Sequence, residues 1–506
     1  MSDNLYELIR GAAPNLEKTA LDSDDDRSLS YAALFKRADQ AANALTSYGV
    51  KPGDRVAVQI DKSPDAVVLL LACLSAGAVL LPLNPDYTLA ELSYFFADAE
   101  PALVICRPQD FAAVSALARS LGIAQTASLG VQGEGGFGAA IAMAPPTAAS
   151  VARANDDLAA ILYTSGTTGR AKGAMLSHGN LSSNAQSLIR QWRFSAADVL
   201  IHALPVFHTH GLFVATNVAL LAGATMIFQP RFDADAIIKA LPRATALMGV
   251  PTFYTRLIDH PGLTRASTAH MRLFVSGSAP LLKETHDAWR ERTGHAILER
   301  YGMTETNMIA SNPYEGERRS GAVGFALDGV SLRIADAASG AQLADGEIGV
   351  IEVKGPNVFK GYWRMPDKTK AEFRPDGFFI TGDLGRFDED GYLTIVGRAK
   401  DLIISGGFNI YPAEIEAEIN ALDGVAESAV IGLPHRDFGE AATAVVTLRA
   451  GASFDELTAL TALALRLARY KLPKRILVEA NLPRNAMGKV QKALLRAAHA
   501  GLYRVK

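Results

Sequence analysis

The chain has 506 residues, 49% hydrophobic and 20% charged, too long for one ordinary core at about 150 residues per domain and too apolar for a disordered or fibrous chain. A formal charge of −3 without Lys or Arg runs gives no electrostatic footing for nucleic acid or an anionic membrane, so any anion must be met by a local site. Two cysteines, Cys73 and Cys106, exclude a disulfide framework and a cysteine-rich zinc site.

The N-terminal stretch MSDNLYELIRGAAP has early acidic residues and no apolar core of signal-peptide length, so a cytoplasmic protein is expected. Strand-like runs at 56–60, 79–84 and 102–106 alternate with helical patterns beginning near 63 and 88. This is the βαβ rhythm of a parallel sheet covered by helices. The apolar run from Ala66 to Leu81 falls short of the roughly 20 residues a membrane span needs and reads as a buried helix, a turn at Gly77 and a buried strand. Residues 130–155, rich in Gly, Ala and Pro, read as a surface connection. A second β/α series runs from AAILYT (159–164) through GATMIF (223–228) to LFVSGSAP (273–280). Beyond about 330 the texture is strand and turn, and the last hundred or so residues mix helix and strand. The expected fold is α/β: a large N-terminal domain of β/α subdomains plus a strand-rich part, 1–398, and a small mobile α+β domain, 399–506, divided at GRAKD (397–401).

In YTSGTTGRAKG, 163–173, four Ser/Thr hydroxyls, three glycines and two cations follow a hydrophobic strand. Glycines let backbone N–H groups approach phosphate, hydroxyls donate, and Arg170 and Lys172 bring charge, which together suit a polyphosphate cradle. It is not the P-loop NTPase pattern, because Ala171 and Gly173 flank the lysine.

At this stretch the chain resembles the acyl-adenylate-forming superfamily of acyl-CoA synthetases, luciferases and peptide-synthetase adenylation domains. Matching motifs follow in order: SGSAPL (276–281), ERYGMTE (299–305), TGDL (381–384), GRAKDLIISGGFNIYPAEIE (397–416) and LPRNAMGK (482–489). Ala171 and Asp328 depart from prolines common in the family. The resemblance implies ATP, Mg²⁺ and coenzyme A as co-substrates and activating ion. It implies that Thr164, Ser165, Gly166, Thr167, Thr168 and Lys172 hold phosphates and that Glu305 reaches the metal. Gly277, Ser278, Ala279, Tyr301, Gly302 and Thr304 would enclose the adenine end, and Asp383 with Arg398 would hold the ribose. Lys489 would cross from the small domain during adenylation, where a carboxylate attacks a phosphate and a cation is needed. Lys400 would be the hinge, and Gly407 would line the thiol tunnel. Acetylation of Lys489 by a protein acetyltransferase is a further implication.

Arg300 sets the substrate expectation. Relatives that activate fatty or aromatic acids commonly place a small residue before this Tyr-Gly; a guanidinium there suits an acid whose far end is a second carboxylate. The sequence thus resembles the malonyl-CoA synthetase branch, with His208, His210 and Ser278 as further donors to malonate. Alternatives stay open. Arg300 could instead brace the loop by pairing with Glu299 or Glu305, and His210 is as well explained as a core histidine. Methylmalonate, oxalate, a small monocarboxylate or a carrier protein are competing partners for the activated chemistry, although no carrier-like serine motif is present.

Overall fold

The computed structural model describes residues 3–23, 27–164, 171–405, 408–485 and 488–503. Of the expected site residues, Ser165, Gly166, Thr167, Thr168 and Gly407 lie outside these. The first sheet runs Gln125–Ser128, Leu103–Cys106, Arg55–Gln59, Val79–Pro82, Leu158–Thr164, Lys172–Ser177. Its strands LVIC and VLLP are buried throughout, as expected where helices cover both faces of a parallel sheet. The helix Pro64–Ala76 starts on a proline whose missing N–H would be unpaired anyway, and ends at Gly77 with φ 66°. Cys73 and Cys106 are buried free thiols, and no helix among the described residues is long and apolar enough to cross a membrane.

Two expectations need correction. Residues 130–155 are not all connection: Gly136–Met143 is a helix that buries Phe137 and Ile141, with Phe137 5.8 Å from the Tyr48 ring. Burying such side chains contributes about 1.5–3 kcal/mol each, which offsets the helix penalty of about 1 kcal/mol per glycine at Gly136 and Gly138. Leu158–Thr164 does not open a second sheet. It lies beside Val79–Pro82 and pairs antiparallel with Lys172–Ser177.

A second, nine-stranded sheet carries Arg300. In its parallel part Leu298–Met303, Leu273–Ser276, Ala246–Gly249, Val199–His202 and Thr225–Phe228 lie side by side. The segments following the carboxyl ends of two of these strands, 205–210 and 277–280, sit where open α/β sheets place ligands. A four-stranded antiparallel sheet, Ser331–Ala335, Gly349–Lys354, Phe379–Phe387 and Leu393–Arg398, brings in Asp383 and Arg398. The last sheet, built on Val425–His435 and Gly439–Leu448, has its own core around Ile403, Ile415, Val430 and Ala444, so a large and a small domain are present.

Candidate active site

Arg300 is 3% exposed on the strand Leu298–Met303. Its Nε and Nη2 make no hydrogen bond, and among the described residues no carboxylate lies within ion-pair distance. The bracing alternative is not formed: Glu299 faces His286, 3.7 Å away, and accepts from the Gly321 N–H at 3.0 Å. Glu305 Oε1 lies 3.0 Å from the Tyr362 hydroxyl oxygen. Adjacent strand residues point to opposite faces, which separates Glu299 from its neighbour. Burial pushes the Arg300 guanidinium down to about 9, still cationic at neutral pH. An uncompensated buried charge of this kind costs about 3–5 kcal/mol.

Around it stand neutral donors. Burial, and then Arg300, pushes the His208 imidazole down to about 4 and that of His210 well below its usual value. Ser278 Oγ and His210 Nδ1 are 3.2 Å apart, and His210 Nε2 has no partner. With Ser278 donating, the imidazole proton sits on that empty Nε2. Ser278 holds φ 72°, a conformation that costs a non-glycine residue about 1–3 kcal/mol and clusters at functional sites. His210 begins a π-helical turn, His210–Ala215, another feature frequent at such sites.

At the other end, Asp383 is 4% exposed. Its Oδ1 is 2.9 Å from Arg398 Nε, and its Oδ2 accepts from the Tyr301 hydroxyl at 2.5 Å. The Asp383–Arg398 pairing follows from register, since the two face each other across antiparallel strands. Gly302 sits at a bulge where a Cβ would stand 2.0 Å from the Asn307 carbonyl, so only glycine fits. Thr304 lies in the turn that follows, and Ala279 beside Ser278 is partly buried. Lys489 comes from the small domain: Gly488, with φ 74°, puts its turn against Thr252 of the helix Pro251–Ile258, at 3.6 Å from the position of a Cβ. Burial first, then the Arg398 charge, pushes the Lys489 ammonium down to about 8. Lys400 is exposed in the short turn Ala399–Asp401.

Glu305 is 5% exposed and burial raises its carboxyl above the usual range. Among the described residues no three His, Cys, Asp or Glu side chains gather to hold a metal. Among the described residues the Tyr362 phenol is the one side chain within hydrogen-bond distance of this buried carboxylate, which fits Mg²⁺, an ion that typically takes one or two carboxylates and completes its shell with water and substrate phosphates. Thr164 Oγ1 bonds the Lys172 carbonyl at 3.4 Å. Lys172 Nζ lies 4.1 Å over the Tyr362 ring and 3.2 Å from Glu372. Sequence reasoning missed Tyr362 and Glu372. The aromatic pair in GYW (361–363) was a signal for the first; nothing local marks the second.

A family model described as AMP-binding enzyme matches residues 9–363, and one described as AMP-binding enzyme C-terminal domain matches 414–489. A feruloyl-CoA synthase of an Amycolatopsis species is 37% identical over 473 residues, 93% of this chain and 94% of its own length. A malonate–CoA ligase of Arabidopsis thaliana is 34% identical over 505 residues, covering 90% of this chain and 80% of its own length. The crystal structure of ATP-bound MatB from Rhodopseudomonas palustris is 57% identical, covers 100% of both chains and superposes with a TM-score of 0.98. Its apo form gives a TM-score of 0.87.

Proposed function

The chain belongs to the AMP-binding enzyme family, and we propose that within it the reaction is ATP-dependent ligation of malonate to coenzyme A through malonyl-adenylate, releasing pyrophosphate and then AMP. The observation that carries this reading is the buried Arg300 guanidinium, which among the described residues has no anion within ion-pair distance. The relatives' names alone divide between aromatic acids and malonate. An aromatic monocarboxylate would leave Arg300 unpaired, whereas a distal carboxylate would accept two parallel hydrogen bonds from it. The 34% identity to a malonate–CoA ligase over 90% of this chain supports the same choice.

In this reading Arg300, with His208, His210 and Ser278, fixes the far carboxylate so that the near one faces the α-phosphate. Neutral imidazoles suit that task, because they donate N–H without adding charge to an already cationic pocket. Lys489 offsets the charge gathering as two anions meet, and Asp383 with Arg398 and Tyr301 orients the ribose. Gly277, Ala279, Gly302 and Thr304 border the adenosine. Thr164 and Lys172, with the loop 165–168, receive the phosphates. Mg²⁺, when bound at Glu305, would neutralise phosphate charge. We take 398/399 as the domain boundary and Lys400 as the hinge about which the small domain turns so that SGGFN (405–409) meets the thiol. Acetylation of Lys489 would remove the adenylation charge, and the two buried thiols suit a reducing cytoplasm.

The test is product identification. With ATP, Mg²⁺ and CoA, mass spectrometry should find malonyl-CoA and AMP from malonate, and little thioester from ferulate or indoleacetate. Methylmalonate should follow within about 10- to 200-fold, the range one methyl group commands. Efficient feruloyl-CoA formation would overturn the diacid reading.

A further inference from the structure

We infer that Glu372 is a positioning residue for ATP: it holds the Lys172 ammonium where the phosphates arrive and ties it, through the Tyr362 phenol, to Glu305. The inference rests on the reading of Lys172 as a phosphate ligand. The arrangement is built by backbone pairing, since Met175 N–H donates to the Gly361 carbonyl at 3.0 Å and Trp363 N–H to the Gly173 carbonyl at 2.8 Å. Residues 360–363 are thereby stitched to the strand that begins at Lys172, and the helix Pro366–Ala371 then delivers Glu372 at its end.

Glu372 uses both oxygens. Oε1 lies 3.2 Å from Lys172 Nζ and 2.7 Å from Lys368 Nζ, while Oε2 accepts from the Tyr362 hydroxyl at 2.7 Å. The same hydroxyl oxygen is 3.0 Å from Glu305 Oε1. The lysine is thus clamped from two sides, by the carboxylate at its tip and by the aromatic face of Tyr362 at 4.1 Å. A lysine side chain carries about 2 kcal/mol of rotamer entropy, so a preset ammonium meets the phosphates with less ordering left to do. With Lys368 sharing Oε1, Glu372 has a second cation to keep when Lys172 turns toward phosphate, so it serves as a cradle rather than as a competing anion.

The experiment is calorimetric titration of the full-length enzyme with MgATP, with no acid present, for the wild type, Glu372→Gln, Lys172→Met and the double variant. Glu372→Gln should weaken binding roughly tenfold, within the coupling range of residues sharing one network, and should add less than twofold on the Lys172→Met background. Steady-state kinetics should place the Glu372→Gln effect in KM for ATP, with kcat at saturating ATP within about twofold, a split that a general packing defect would not give. Should Glu372→Gln fail to fold, Glu372→Asp, which keeps the charge one methylene short, completes the same cycle. Wild-type or tighter binding by the Glu372 variant overturns the inference, as does an undiminished loss on the Lys172→Met background. Because the titration needs no acid, an error in the substrate would leave this result readable.

Discussion

The guanidinium of Arg300 lies against the Cα of Gly277: a methyl group built on Gly277 would stand 2.4 Å from both Cζ and Nη1 of the arginine. A Cβ there would force the guanidinium aside, so the glycine is what leaves the cation its present place. Gly277→Ala should displace the guanidinium and lower kcat/KM for malonate at least tenfold, with a smaller effect on KM for ATP. Initial-rate kinetics with each substrate varied would check it, and an unchanged malonate constant would show that Arg300 does not depend on this contact.

Arg300 should also be a stability liability. Replacing an uncompensated buried charge by an apolar side chain of similar length commonly stabilises a protein, by about 1–4 kcal/mol where buried ionic groups have been exchanged. Arg300→Met is expected to raise the thermal midpoint of the free enzyme while abolishing malonate turnover. In calorimetric scans, malonate should raise the midpoint of the wild type and not of the variant.

The depressed Lys489 ammonium gives a pH signature. The adenylation role we propose for it needs the charged form, which predominates below about 8 and is lost as pH rises through that value. The kcat/KM for ATP in pyrophosphate release, which reports the free enzyme, should therefore be flat below about 8 on this limb and fall about tenfold per unit above. Lys489→Arg, charged throughout, should lose that limb. Thioester formation from supplied malonyl-AMP should lack it in both proteins.

Much of this was legible in the sequence because the parallel strands are short continuous apolar runs set between turn residues. The helix Pro64–Ala76, its Gly77 stop and the following strand are all written in one stretch. Gly136–Met143 escaped because glycine and alanine dominate its composition, while the two residues that fold it, Phe137 and Ile141, are only one helical turn apart. The site was legible where motifs are local, as at 298–306. It was not legible where side chains meet across 200 positions, as Lys172 and Glu372 do. Arg300 was readable as a cation before the Tyr-Gly. Its isolation was not, because that depends on Glu299 and Glu305 being taken up by His286, Gly321 and Tyr362.

The most direct test of the account is pyrophosphate release with ATP, Mg²⁺ and CoA for malonate against butyrate, in the wild type and in Arg300→Gly. Leaving one partner of a buried charge pair unpaired costs about 2–5 kcal/mol, or roughly 30-fold to several thousandfold in a rate ratio. The account expects the wild type to prefer malonate by about 100-fold or more and the substitution to erase that margin. Butyrate turned over by the wild type as efficiently as malonate would contradict it, leaving the adenylation machinery in place and Arg300 without a substrate to hold.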